Sequence, residues 1–125
     1  MTMKELAERV EAATGPDRLL DGEIWREAHG LTVYDVLTPE GEISVSVPYL
    51  TASLDAAMTL FRPGHFPVID CDPRHIEVEV QYLTDETDNG LGALVATGGA
   101  TIPLALCAAA LRARISETKK DRDNG

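Results

Sequence analysis

The residues best suited to chemistry lie near the middle of the chain. Asp70, Cys71, Asp72 and His75 are all metal-ligand types within six positions. A zinc site needs its third and fourth ligands at recognisable spacing. Here Asp72 followed by Pro73 reads as turn chemistry instead, a loop between two strands. No metal site is expected. Cys71 and Cys107 have no histidine close by in sequence, so both read as small core residues rather than nucleophiles. His29, His65 and His75 are scattered. Glu77 and Glu79 share one face of a strand and read as a solvated pair, not as an acid and a base. The chain has no Gly-x-Ser-x-Gly elbow, no His-Glu-x-x-His, no Cys-x-x-Cys, no phosphate-binding loop and no Gly-x-Gly-x-x-Gly. Neither catalysis nor a cofactor is expected.

Anion binding is the chemistry that remains. Gly98 and Gly99 read as a loop that feeds a helix N-terminus. Backbone N–H groups and the helix dipole there favour a bound anion, although Pro103 removes one donor. Arg18, Arg26, Arg62, Arg74 and Arg112 lie near the ends of expected elements and could converge on a phosphate.

These residues need elements to position them. Leu6, Val10 and Ala13 share a helical face, and Gly15 reads as a left-handed stop. Pro16 opens a second helix with Asp17 and Asp21 in its first turns, Leu20, Ile24 and Ala28 on one face and Gly30 at its end. Residues 31–37 and the alternating 43–47 read as a hairpin through a turn at 38–41. Residues 49–61 return to helical spacing, with Ser53 as N-cap and Leu54, Ala57, Met58 and Phe61 as the apolar stripe. A short strand over 66–70 precedes a strand in which Ile76, Val78, Val80 and Tyr82 alternate with Glu77, Glu79 and Gln81. The Asn89 and Gly90 turn leads to a return strand over 91–97. Thr101 is the candidate N-cap of the last helix. The order α α β β α β β β α predicts an α+β fold, a mainly antiparallel sheet with helices packed on it. One domain is expected over 1–116, followed by a charged, disordered tail over 117–125.

Composition narrows the function classes. The 125 residues leave room for one domain. Net charge is −10 and the pI is near 4.6, the wrong sign for a nucleic-acid binder or for a protein held on anionic membranes. The longest apolar run, 102–111, is too short to span a bilayer. Two cysteines without framework spacing suit a reducing cytoplasm.

The last helix is apolar nearly all round. Leu104, Cys107, Ala108, Leu111 and Ile115 form one stripe, and Leu106, Ala109, Ala110 and Ala113 lie opposite. Such a helix is buried on more than one side. The small residues suggest a homo-oligomer whose subunits meet along it.

Three segments taken together resemble the phage ABA sandwich domain family: GPDR at 15–18 with LDGEIW at 20–25, YLTASLDAA at 49–57, and IPLALCAAALRA at 102–113. The resemblance implies helices on both faces of the sheet, an α/β/α sandwich. Small phage proteins that sequester nucleotide immune signals are similar in size and element order. Kinship with them implies a cytoplasmic, non-enzymatic anti-defence sponge that binds a cyclic nucleotide at pockets between subunits. On that reading Tyr82 or Trp25 would stack on a base, and Asn89 would bond its edge. Arg26 and Arg112 would clamp phosphates, with Gly99 and Thr101 as helix-start donors. Two alternatives stand beside it. One is an acidic inhibitor that mimics DNA toward a host nuclease or CRISPR complex through Glu77, Glu79, Asp85, Glu86 and Asp88. The other is a virion or assembly component with no ligand.

Overall fold

The structure is a computed structural model. It describes residues 2–31, 36–37, 40, 42–43, 46–72, 74–85 and 90–124, the last eight as backbone only. Among these are four helices, α1 (Met3–Ala12), α2 (Arg18–His29), α3 (Leu54–Met58) and α4 (Ile102–Asn124). Three strands, β1 (His65–Asp72), β2 (His75–Leu83) and β3 (Leu91–Gly99), form an antiparallel sheet in the order β1-β2-β3. The fold is α+β, with helices packed on the sheet.

Local chemistry sets most boundaries. Thr2 and Glu5 form a reciprocal capping box at the start of α1. That helix ends at Ala13 in an extended conformation, so Gly15 is not the left-handed stop expected of it. Asp17 caps α2, its carboxylate accepting from the N–H groups of Leu19 and Leu20. Gly30 closes the same helix at φ 67°, where a side chain would be strained. Ser53 caps α3 as expected, accepting from the Ala56 N–H at 3.2 Å. That helix is a short one inside the longer helical stretch expected over 49–61. Its buried residues are Ala57 and, around it, Leu50 and Leu60, while Leu54 and Met58 are exposed. The stripe shifts because residues 49–53 form a turn rather than helix. Thr101 does cap α4, its hydroxyl accepting from the Leu104 N–H at 3.3 Å.

The hairpin expected over 31–47 lies largely outside the described residues, which show one antiparallel bridge, Leu37 with Ile43. Residues 86–89 of the β2–β3 turn lie outside them too. The charged residues 117–124, expected as a disordered tail, continue the backbone of α4 to Asn124.

The core is built around α4. Residues 104–111 and Ala113 are buried at no more than 3 % exposure within the single chain. Strands β2 and β3, α1 and α3 all pack on this helix. The all-round apolar pattern is therefore satisfied internally. The alanine face expected to meet another subunit is already covered, which removes the surface on which the oligomer expectation rested.

Strand alternation puts Val78 and Val80 against this core, while Glu77, Asp70 and Val68 turn outward to solvent. Among the described residues the helices lie on one face of the sheet, so it is not the inner layer of an α/β/α sandwich. No helix of the described residues is long and apolar enough to cross a membrane.

Candidate functional site

The turn between β1 and β2 is closed by Asp72, whose Oδ1 accepts from the Arg74 N–H at 2.9 Å. Because Ile76 pairs with Gly99, this turn stands beside the end of β3 and the start of α4. A cleft of about 460 Å³ opens there, lined by Cys71, Asp72, Arg74, His75, Ile76, Gly99 and Ala100. The Arg74 guanidinium has no partner among the described residues. His75 Nε2 lies 3.3 Å from Glu77 Oε2. Cys71 is exposed on this wall, contrary to the core position expected of it, because α4 does not reach the far half of β1. Two basic side chains and a thiol thus share a cleft with a helix start.

The metal-type cluster does not assemble. Alternation along β1 sends Cys71 to the face opposite Asp70 and Asp72. No group of three His, Cys, Asp or Glu able to hold a metal occurs among the described residues.

Gly98 and Gly99 are strand residues rather than a free loop, paired with Glu77 and Ile76. A Cβ on Gly98 would sit 2.5 Å from the Ile76 carbonyl oxygen, and one on Gly99 would sit 2.8 Å from the Ala105 nitrogen. These glycines serve the close approach of β3 to β2 and to α4.

The other residues expected in a nucleotide site are dispersed. Tyr82 pairs with Gly92 and its ring lies over that glycine. It is six residues, about 20 Å, along β2 from the position facing Gly99. Trp25 is half-buried against the core, and its ring centroid lies 4.0 Å from that of His29. Arg26 is half-buried in the last turn of α2. Asn89 lies outside the described residues. Thr101 and Gly99 adjoin the cleft, but Arg112 stands eleven residues on, about 16 Å further along α4.

Arg112 is also committed elsewhere. Its Nη2 and Nε donate to the two carboxylate oxygens of Glu11 at 2.6 and 3.1 Å, and Thr97 donates to the same carboxylate. The Arg112 hydrogen bond holds the Glu11 carboxyl below the usual glutamate range, against the opposing effect of burial. The Glu11 hydrogen bond raises Arg112 in turn.

The acidic residues proposed as a DNA mimic are likewise spread out. Glu77 and Glu79 lie on the outward face of β2. Asp85 follows the other end of that strand, and Glu86 and Asp88 lie outside the described residues.

The three segments that carry the family resemblance do meet. Asp21 is buried, and its Oδ1 accepts from both the N–H and the hydroxyl of Thr51 at 2.7 Å. Arg18 donates to the other Asp21 oxygen at 3.3 Å and to the Pro48 carbonyl at 3.0 Å, and it lies 4.1 Å over the Tyr49 ring centroid. The Cys107 thiol donates to the Leu50 carbonyl at 3.2 Å. Burial, with the Asp21 charge adding to it, pushes that thiol up to about 12. A smaller cleft of about 320 Å³ lies over Pro16, Asp17, Arg18, Asp21, Tyr49 and Ala52. The Asp21 and Thr51 pair joins residues 30 positions apart, which no local motif marks. The available signal was a charged Asp21 between the buried Leu20 and Ile24.

Compared with family models, curated proteins and solved structures, the chain matches none of them.

Proposed function

We propose that this chain is a non-catalytic binding protein that sequesters a small phosphorylated ligand, and that the cleft at the end of the sheet holds the phosphate. A cyclic nucleotide in a phage anti-defence setting is the ligand class and role that the family resemblance implies. The observation that carries the proposal is Arg74, a guanidinium with no partner among the described residues, on the wall of a cleft of about 460 Å³. Arginine matches phosphate oxygens with two parallel N–H donors. His75 stands on the same wall, its Nε2 3.3 Å from the Glu77 carboxylate, and the first turn of α4 adds the positive end of a long helix. The cleft's described lining comes from one chain, so the proposal calls on no second subunit.

Asp72 works against an anion, yet one of its oxygens is spent on the turn that presents Arg74. The charge of −10 slows the arrival of an anionic ligand without preventing capture by a local arginine.

The test is a thermal-shift and calorimetry screen against inorganic phosphate, ADP-ribose, its cyclic isomers, and cyclic di- and trinucleotides. A ligand bound by the folded state at 100 times its Kd adds about 2.7 kcal/mol. One ligand class should raise Tm, and Arg74→Ala should remove that shift while leaving the Tm of the unliganded protein unchanged. Binding that survives Arg74→Ala, or no binding across the panel, overturns the proposal.

A further inference from the structure

Strand β1 is an edge of the sheet, paired through its whole length with β2 and with no other strand among the described residues. Alternate residues of such a strand point their N–H and C=O groups away from the sheet. The helices reach only the first part of β1, so residues 68–72 are exposed on both faces. Val68 is 44 % exposed on the outward face and Ile69 is 37 % exposed on the other. Over 68–72 this edge has no strand beside it among the described residues and carries apolar side chains on both faces, the geometry to which an extended segment adds as another strand.

The charges on this edge select the partner. Asp70 and Asp72 share the outward face, where Val68 stands opposite Glu79, Asp70 opposite Glu77 and Asp72 opposite His75. A second copy paired on the same edge would bring the same four carboxylates onto one continuous sheet face, where like charges repel. A basic segment would meet opposite charge instead.

We propose that the outer edge of β1 takes up an extended basic segment of another protein as a fourth strand. Its lysine or arginine side chains lie over Asp70 and Asp72, and its intervening apolar side chains lie beside Ile69. The surface adjoins the proposed phosphate cleft at Asp72 but does not include the Arg74 guanidinium. Acidic residues also serve in other proteins to keep edge strands from pairing at all, so the test must separate capture from protection.

The test uses the full chain and a fluorescent synthetic peptide of about ten residues that alternates lysine with valine or threonine. Controls replace its lysines with glutamate or its central residue with proline. Anisotropy at low salt should show binding of the basic peptide alone. Amide exchange should slow at alternate positions over 68–72, since Pro67 carries no N–H. Asp70→Asn combined with Glu79→Gln changes outward side chains that do not line the phosphate cleft and should weaken binding about tenfold. Arg74→Ala should leave peptide binding intact, so failure of the phosphate proposal and failure of this one remain distinct. No binding at millimolar peptide, binding without new amide protection in β1, an unaffected double variant, or pairing of two copies through β1 would each overturn the proposal.

Discussion

Asp21 and Thr51 stand 30 positions apart and share two hydrogen bonds of 2.7 Å, both ending on one carboxylate oxygen. Both residues are 1 % exposed. This pair ties the turn before α3 to the first turns of α2. Asp21→Ala would leave the Thr51 amide without an acceptor and away from water, while the hydroxyl keeps the Asp17 carbonyl at 3.2 Å, a loss of about 2 kcal/mol. Asp21→Asn retains an acceptor oxygen and should cost less. Urea unfolding of both variants, with the exposed Asp55→Ala as reference, checks the order. An Asp21→Ala loss no larger than that of Asp55→Ala would show that the pair does not hold the turn.

The Glu11 and Arg112 fork makes stability depend on acid. The native pKa of Glu11 lies below its unfolded value. Its contribution is therefore complete above the ordinary glutamate pKa, about 4.3, and fades as pH falls through the lowered native value. Unfolding free energies from pH 7 to pH 3 should fall more steeply for the natural chain than for Glu11→Gln. The gap at pH 7 should be about 1 kcal/mol, since both side chains remain partly exposed. Parallel curves would count against the fork.

The two thiols should differ in reactivity. Cys71 is exposed, whereas Cys107 is buried with its pKa pushed up to about 12. Thiolate is the reacting form, so iodoacetamide at pH 8 should label the native protein once, at Cys71. Denaturant should expose the second site. Peptide mass mapping reads the result, and rapid native labelling of Cys107 would contradict its burial beneath the 49–53 turn.

Space rather than backbone angle governs the glycine at the end of β3. A methyl group on Gly99 would press on the backbone of Ala105 at 2.8 Å. Gly99→Ala should cost about 1–3 kcal/mol by forcing β3 and α4 apart. Gly15 has no neighbour within 4 Å and no positive φ, so Gly15→Ala should be neutral or stabilising by up to about 1 kcal/mol. Thermal melts of the two variants test the contrast.

Most of the elements were legible along the chain because their signals are local. Thr101, Ser53 and Gly30 act at helix ends within a few residues of themselves. The alternation of Val78 and Val80 with Glu77 and Glu79 states directly which side of β2 is wet. Residues 49–53 depart from the local pattern because Asp21 and Cys107, from other segments, hold Thr51 and Leu50 in a turn, while α1 stops at Ala13, two residues before Gly15.

The candidate site was legible only as a list of types. Arg74 and Gly99 were both named as anion-binding candidates, but nothing local shows that the pairing of Ile76 with Gly99 brings them to one cleft. Arg112 looked equally suited to a phosphate until the fold placed Glu11 against it, 101 positions away. The same holds for the last helix. Its sequence determined that it must be buried on more than one side, because residues 102–111 carry no polar face. Only the tertiary structure decided what buries it, since the chain's own sheet and helices fill that space and hydrophobic burial does not distinguish one covering surface from another.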